Sequence, residues 1–392
     1  MKLLLVLSAI FVKNVLLENC LQSRIPEDGR LDFTGLVRKY GYVAEEYDLI
    51  TPDGYVIQLH RIVGDHTRPV LLIHGAIIAS DSFIIRGETS LGIILARQGY
   101  DVWAVNTRGN RYSRRHLTLN PDVNKEFWNF DLHEIAYYDV PLTIDFILSE
   151  TGVNKLKVIG YSQGTTVTFI MGATRPEYNE KISIFIALAP VHIMENSRPP
   201  TSTVIEYSPQ INQFLIETDN EEFMGFHSPF KKIWDFICTK NVTGTEICLY
   251  GALYQLCGVD IDEIEDEFFP VIVGHFPAGS STKGINHFGQ IGRKKVFGRY
   301  DYGPENNKIV YGSSLPPRYD VSKVIMKVAL FLGLNDKIAT VEDAALLRRE
   351  LPNVVLYHEV ERPLFNHLDF IWGKSTYKTL YPLVLDTLEK YG

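Results

Sequence analysis

The stretch Lys157-Val-Ile-Gly160-Tyr161-Ser162-Gln163-Gly164, continuing through Thr165–Thr174, decides the fold. It reads as a short apolar strand over Lys157–Ile159, a G-x-S-x-G turn, and a helix over Thr165–Thr174. A strand-to-helix elbow of this kind holds its serine in a strained backbone conformation, and small neighbours on both sides avoid clashes. The hydroxyl then projects above the sheet at a helix N-terminus, where developing negative charge is favoured. Ser162 is therefore the candidate nucleophile.

Working outward, Glu45–Ile50 and Tyr55–Val63 flank Pro52-Asp53-Gly54, a hairpin signal. Short apolar runs follow at Val70–Ile73, Asp101–Val105, Lys157–Ile159, Ile184–Leu188, Val324–Leu332 and Val354–Glu359. Runs such as Val70-Leu-Leu-Ile73 do not alternate with polar residues, which is the pattern of strands buried on both faces of a parallel sheet. Helical patterns lie between them at Leu91–Gln98, Asp139–Glu150, Thr165–Thr174 and Glu342–Glu350. The order predicts an α/β architecture: an open, mostly parallel sheet with helices on both faces.

One connection breaks the rhythm, with about 130 residues between Leu188 and Val324. Ordinary connections in such folds take about 2–6 residues. Residues 191–320 are expected to form an inserted, largely helical cap over a core made of 21–190 and 321–392. Inside the insert, Asp260–Glu267 carries six acids in eight residues, read as a solvated helix face rather than a metal site.

Composition narrows the function classes. The 392 residues are 45% hydrophobic and 22% charged, which excludes wholesale disorder. The net charge of -8 argues against a nucleic-acid partner. Met1-Lys2 followed by the ten uncharged residues Leu3–Val12 reads as a signal peptide over residues 1–20, cleaved between 15 and 23. No other run approaches a transmembrane length, so no membrane anchor is expected. Cys20 lies near or inside the removed segment, leaving Cys238, Cys248 and Cys257, with three pairings open. Asn241-Val242-Thr243 is a glycosylation sequon, and no cysteine–histidine spacing suggests a metal.

A serine hydroxyl needs an adjacent base, and in this architecture the partners follow in the order serine, acid, histidine. His358 lies inside an expected strand, whereas His367 sits in the loop Phe365-Asn-His-Leu-Asp369 after the final strand. Asp336 ends the preceding strand, at the carboxyl tip of Phe331-Leu-Gly-Leu-Asn-Asp336. It would orient His367 and stabilise the imidazolium. Asp369 is the rival acid, read instead as a cap of the next helix. Two backbone donors should face the oxyanion: the N–H of Gln163, and that of Ala76 in the loop His74-Gly-Ala76 after the strand Val70–Ile73.

Together these residues resemble the acid lipase family of the α/β-hydrolase fold. The likeness is carried by Leu72-Ile-His-Gly-Ala76, Asp101-Val-Trp103, Thr107-Arg-Gly-Asn110 with Ser113, Phe127-Trp-Asn-Phe130, Tyr161-Ser-Gln-Gly-Thr165 and Asn366-His-Leu-Asp-Phe-Ile-Trp372. The resemblance implies an eight-stranded sheet, a Ser162-Asp336-His367 triad, oxyanion donors at Ala76 and Gln163, and a Cys238–Cys248 disulfide. It also implies hydrolysis of neutral lipid esters under a cap at a lipid–water interface, without a cofactor, after secretion or delivery to lysosomes. Tyr161 and Ala76 depart from the family's usual His and Leu. The alternatives are an esterase for small soluble esters with the same triad, and a catalytically silent lipid-binding relative.

Overall fold

The computed structural model describes residues 24–392, so the expected signal peptide and Cys20 lie outside the described residues. The strands are β1 (Ala44–Ile50), β2 (Val56–Ile62), β3 (Asp65–Ile73), β4 (Tyr100–Val105), β5 (Leu156–Tyr161), β6 (Ile182–Leu188), β7 (Glu222–Phe223), β8 (Ser280–Ser281), β9 (Val328–Leu332) and β10 (Val354–Glu359). Eight of them form one sheet in the order β1-β2-β4-β3-β5-β6-β9-β10, while β7 and β8 pair separately. β1 and β2 are antiparallel to their neighbours, and every pair from β4 to β10 is parallel.

The unbroken apolar runs have the expected cause. Val70 and Leu72 of β3, with Ile184 and Ile186 of β6, enter one core. Leu71, Ile73, Phe185 and Ala187 enter the other. Successive side chains point to opposite faces, so a sheet covered on both sides needs apolar residues at every position. The helices Leu91–Arg97 and Tyr381–Tyr391 cover the first face. Val140–Thr151, Gln163–Thr174 and Val341–Glu350 cover the second.

Several boundaries differ from the sequence reading, β3 starting at Asp65 instead of Val70 among them. The expected strand Val324–Leu332 starts only at Val328, after a tight turn at Val321–Lys323. There the Asn179 Oδ1 accepts the backbone N–H groups of Ile325 and Met326, which removes them from sheet pairing. The helix after the elbow starts at Gln163, directly after the serine.

Between β6 and β9 the chain is mainly helical, with helices at Thr201–Glu206, Ser208–Glu217, Pro229–Cys238, Phe269–His275, Thr282–Lys294 and Pro304–Tyr311. The acidic run 260–267 corrects the expectation of a solvated helix face: it forms turns, and Asp260 and Glu263 are buried. Asp260 accepts two hydrogen bonds from the Arg362 guanidinium, at 2.6 and 2.7 Å, and Glu263 accepts from the Ser375 N–H. A buried carboxylate is tolerated only when paired, and here the pairing ties the insert to the chain after β10. Cys238 and Cys248 form a disulfide beside the helix Asn241–Thr245, and Cys257 is a buried free thiol. Among the described residues no helix is long and apolar enough to cross a membrane.

Candidate active site

Ser162 sits between β5 and the helix Gln163–Thr174 with φ of 52° and ψ of -116°. The flanking glycines are required by close approach. A Cβ on Gly160 would lie 2.8 Å from the Gly164 carbonyl group, and one on Gly164 only 2.1 Å from the Ile73 carbonyl oxygen. The elbow is thus pressed against the end of β3, the strand that leads into His74-Gly75-Ala76.

The three expected side chains meet. His367 Nε2 lies 2.9 Å from Ser162 Oγ, and His367 Nδ1 lies 2.7 Å from Asp336 Oδ2. Asp336 Oδ1 accepts the N–H groups of Ile338 and Ala339, both at 2.8 Å. With one oxygen fixed by its own loop, the other is held toward the imidazole, which sets Nδ1 as the donor and leaves Nε2 free to accept from the serine. Asp369 faces elsewhere. Its Oδ2 accepts the N–H of Asn366, and burial holds its carboxyl well above the usual range. His358 lies on β10 against Phe331, away from this chain of bonds.

Ala76, Tyr161, Ser162 and His367 line one cavity of about 250 Å³. Apart from these its walls are apolar, with Val191, Met194, Leu253, Leu256 and Phe288 supplied by the segment after β6. Gln163 opens its helix, and the first N–H groups of a helix have no acceptor within it. An ester carbonyl beside Ser162 could therefore meet a nucleophile, a base and backbone donors in one water-poor pocket.

Several supporting residues carried no role in the sequence reading. His74 Nδ1 lies 2.7 Å from the Gly75 carbonyl, and its Nε2 accepts the Thr107 N–H at 3.1 Å. Burial pushes this imidazole down to about 4, the neutral form those bonds need. Arg108 is buried, with Nε donating to Asp139 and its terminal nitrogens to Asp53. These pairs fix the loop after β4, against which the loop of Ala76 is braced.

The insert also reaches the site through its backbone. The Cys257 carbonyl accepts the N–H of His367 at 3.2 Å and of Lys337 at 3.5 Å. Gly258, at φ of 109°, packs so closely that a Cβ would lie 2.1 Å from the Asn335 oxygen and 2.8 Å from Asn366 Cβ. Burial pushes the Cys257 thiol up, away from thiolate character. Tyr161 donates its hydroxyl to the His367 carbonyl at 2.8 Å.

Residues 68–234 match the family described as alpha/beta hydrolase fold, and residues 33–87 match the partial alpha/beta-hydrolase lipase region. The chain is 37% identical to Lipase 1 of Drosophila melanogaster, over 94% of this chain and 82% of that one. It belongs to the acid lipase family of the α/β-hydrolase fold. Gastric triacylglycerol lipase of Mus musculus is 35% identical over 90% of each chain. A soluble variant of monoglyceride lipase from Saccharomyces cerevisiae shares the fold at 17% identity and a TM-score of 0.55, over 88% of this chain and 94% of that one. In this family member the elbow, the imidazole and the carboxylate are thus met on a scaffold that relatives share.

Proposed function

We propose that the protein is a serine hydrolase that cleaves carboxylic esters of neutral lipids, acylglycerols first, with Ser162, His367 and Asp336 as its triad. The observation that carries this reading is the hydrogen-bonded chain Asp336–His367–Ser162 at the floor of an apolar cavity. As Ser162 Oγ bonds to the ester carbonyl carbon, His367 Nε2 takes its proton. The carbonyl π electrons move to oxygen, where the N–H groups of Ala76 and Gln163 receive the negative charge. Collapse expels the alcohol, protonated by His367, and leaves an acyl-serine. Water, deprotonated by the same imidazole, then releases the acid and restores the serine.

Residues 191–320 serve as the cap, because side chains from this segment roof the serine. Its outer surface exposes Phe214, Phe230 and Ile233, which suits transient attachment to a lipid–water interface. Passage through the secretory pathway, with a glycan on Asn241, accords with the Cys238–Cys248 disulfide. The test is Ser162→Ala. Turnover of emulsified triacylglycerol and labelling by an alkyl phosphonate should both vanish while the melting curve persists, and retained turnover would exclude the mechanism. Wild-type rates on short soluble esters, triacylglycerol and cholesteryl ester then rank the substrates; rates that show no rise above the solubility limit would favour a soluble-ester esterase.

A further inference from the structure

His367 belongs to a four-residue turn, Asn366–Asp369, that is closed by its own side chains. Asn366 Oδ1 accepts the N–H of Leu368 at 2.7 Å and that of Asp369 at 3.2 Å. Asp369 Oδ2 accepts the N–H of Asn366 at 2.8 Å. Each side chain thus takes up a backbone donor of the other residue, the reciprocal arrangement of a capping box, and His367 lies inside the span. Asn366 and Asp369 are both buried, so a backbone donor that lost its acceptor here would be left unsatisfied away from water.

The turn is anchored at both ends. The Asp369 carbonyl accepts the Gly373 N–H at 3.0 Å and the Thr376 hydroxyl at 2.6 Å, which ties it to the buried helix Asp369–Trp372. On the other side the Phe365 carbonyl accepts the Asn335 N–H at 3.0 Å, one residue before Asp336. A shift of the turn therefore moves the imidazole against both the carboxylate and the serine. The charge around Asp369 fits a holding role. The Arg362 guanidinium donates to Asp260 and lies 3.7 Å from Glu263. Burial, with Asp260 and Glu263 nearby, holds the Asp369 carboxyl well above the usual range, so it stands as the neutral acid. In that form it accepts the Asn366 N–H without placing a further charge behind the imidazole.

We propose that Asp369 and Asn366 are positioning residues for the base: their two side chains lock the turn 366–369 and so keep His367 Nε2 at hydrogen-bond distance from Ser162. Neither touches a reacting atom, and both act through His367. This inference rests on the hydrolase reading above and adds the pair of residues that hold its base in place.

The experiment measures kcat and KM for 4-nitrophenyl butyrate in the wild type, Asp369→Ala, Asp369→Asn, Asn366→Ala and the double alanine variant. Rates are counted per site titrated to completion with an alkyl phosphonate, so a variant that only folds less well keeps its kcat. Asp369→Ala opens the turn, and a displacement of about 1 Å at the imidazole should lower kcat on the order of a hundredfold with KM little changed. Asp369→Asn should restore most of that loss, because its amide oxygen still accepts the Asn366 N–H and its shape is that of the neutral acid. Asn366→Ala breaks the other half of the lock and should give a similar fall; it carries the test if Asp369→Ala does not fold. The double variant should lose little more than either single one, since one lock is opened only once. Asp369→Asn as slow as Asp369→Ala, single variants with wild-type kcat per site, or losses that multiply in the double variant would each overturn the positioning role alone. A wild type that neither cleaves butyrate nor takes the phosphonate overturns the hydrolase reading beneath it.

Discussion

Replacing Gly258 by alanine should cost catalysis more than binding, although this residue belongs to the insert and touches no reacting atom. Gly258 adopts φ of 109° and ψ of 149°, a region open almost only to glycine, and an L-residue there carries about 1–3 kcal/mol of strain. The added Cβ would also stand 2.1 Å from the Asn335 oxygen and 2.8 Å from Asn366 Cβ. Both distances fall under 3.0 Å, which real Cβ atoms essentially never show, and the nearer obstacle is backbone. Overpacking of this kind adds about 1–3 kcal/mol. The sum, about 2–6 kcal/mol, lies below most of the roughly 5–15 kcal/mol range that holds a typical domain folded, so the variant should fold with a lowered melting temperature. Relief of the clash must move the Asn335 loop or the Asn366 loop, and these carry Asp336 and His367. A misplacement of about 1 Å costs on the order of 10² in rate. With a soluble short-chain ester, kcat should therefore fall about a hundredfold while KM changes little. A lowered melting temperature with kcat within twofold of wild type would refute the bracing argument.

Asp336→Asn keeps an oxygen for the Ile338 and Ala339 N–H groups but can turn its amide toward His367 Nδ1, favouring the wrong imidazole tautomer. Turnover should drop about 10⁴-fold, read as kcat and as phosphonate labelling rate, and near-normal labelling would exclude Asp336 as the orienting acid. Arg108→Met leaves Asp139 buried and unpaired and should cost about 3–5 kcal/mol in a urea titration. Arg108→Met with Asp139→Leu should recover part of that loss, and a double variant no better than the single one contradicts the pairing argument. Burial holds His60, His74 and His192 down to about 4. Between about pH 6.5 and 4 the unfolded chain therefore binds more protons than the folded one, and stability is lost as pH falls through that window. His192, shifted by burial alone, should contribute up to about 3 kcal/mol of that loss. His192→Gln should flatten the dependence of the urea midpoint on pH, and parallel curves for variant and wild type would refute its part.

The features legible in the sequence were those whose physical cause is local. The elbow announces itself because its glycines are forced by contacts within a few residues and by one neighbouring strand, and the same crowding dictates Gly160 and Gly164. The inner strands β4, β5, β6 and β9 were legible because burial on both faces leaves no room for polar alternation, so each apolar run declares its layer. His367 and Asp336 were legible through their order in the chain and their loops after strands. Non-local support was not. Gly258 lies 77 residues from Asn335 and over 100 from Asn366, so nothing near it signals that its missing side chain makes room for both loops. The run 260–267 misled for the same reason: a cluster of acids reads as solvated until Arg362, far along the chain, is brought beside Asp260. The His74 tautomer likewise depends on Thr107, supplied by the loop after the adjacent strand β4. The segment between β6 and β9 consequently takes part in the geometry of the site. Its backbone accepts from the histidine loop, its glycine spaces the acid loop from the base loop, and its side chains line the cavity. A substitution anywhere along Cys257–Gly258 should therefore register first in catalytic geometry, before any change at the exposed helices Ser208–Glu217 and Pro229–Cys238.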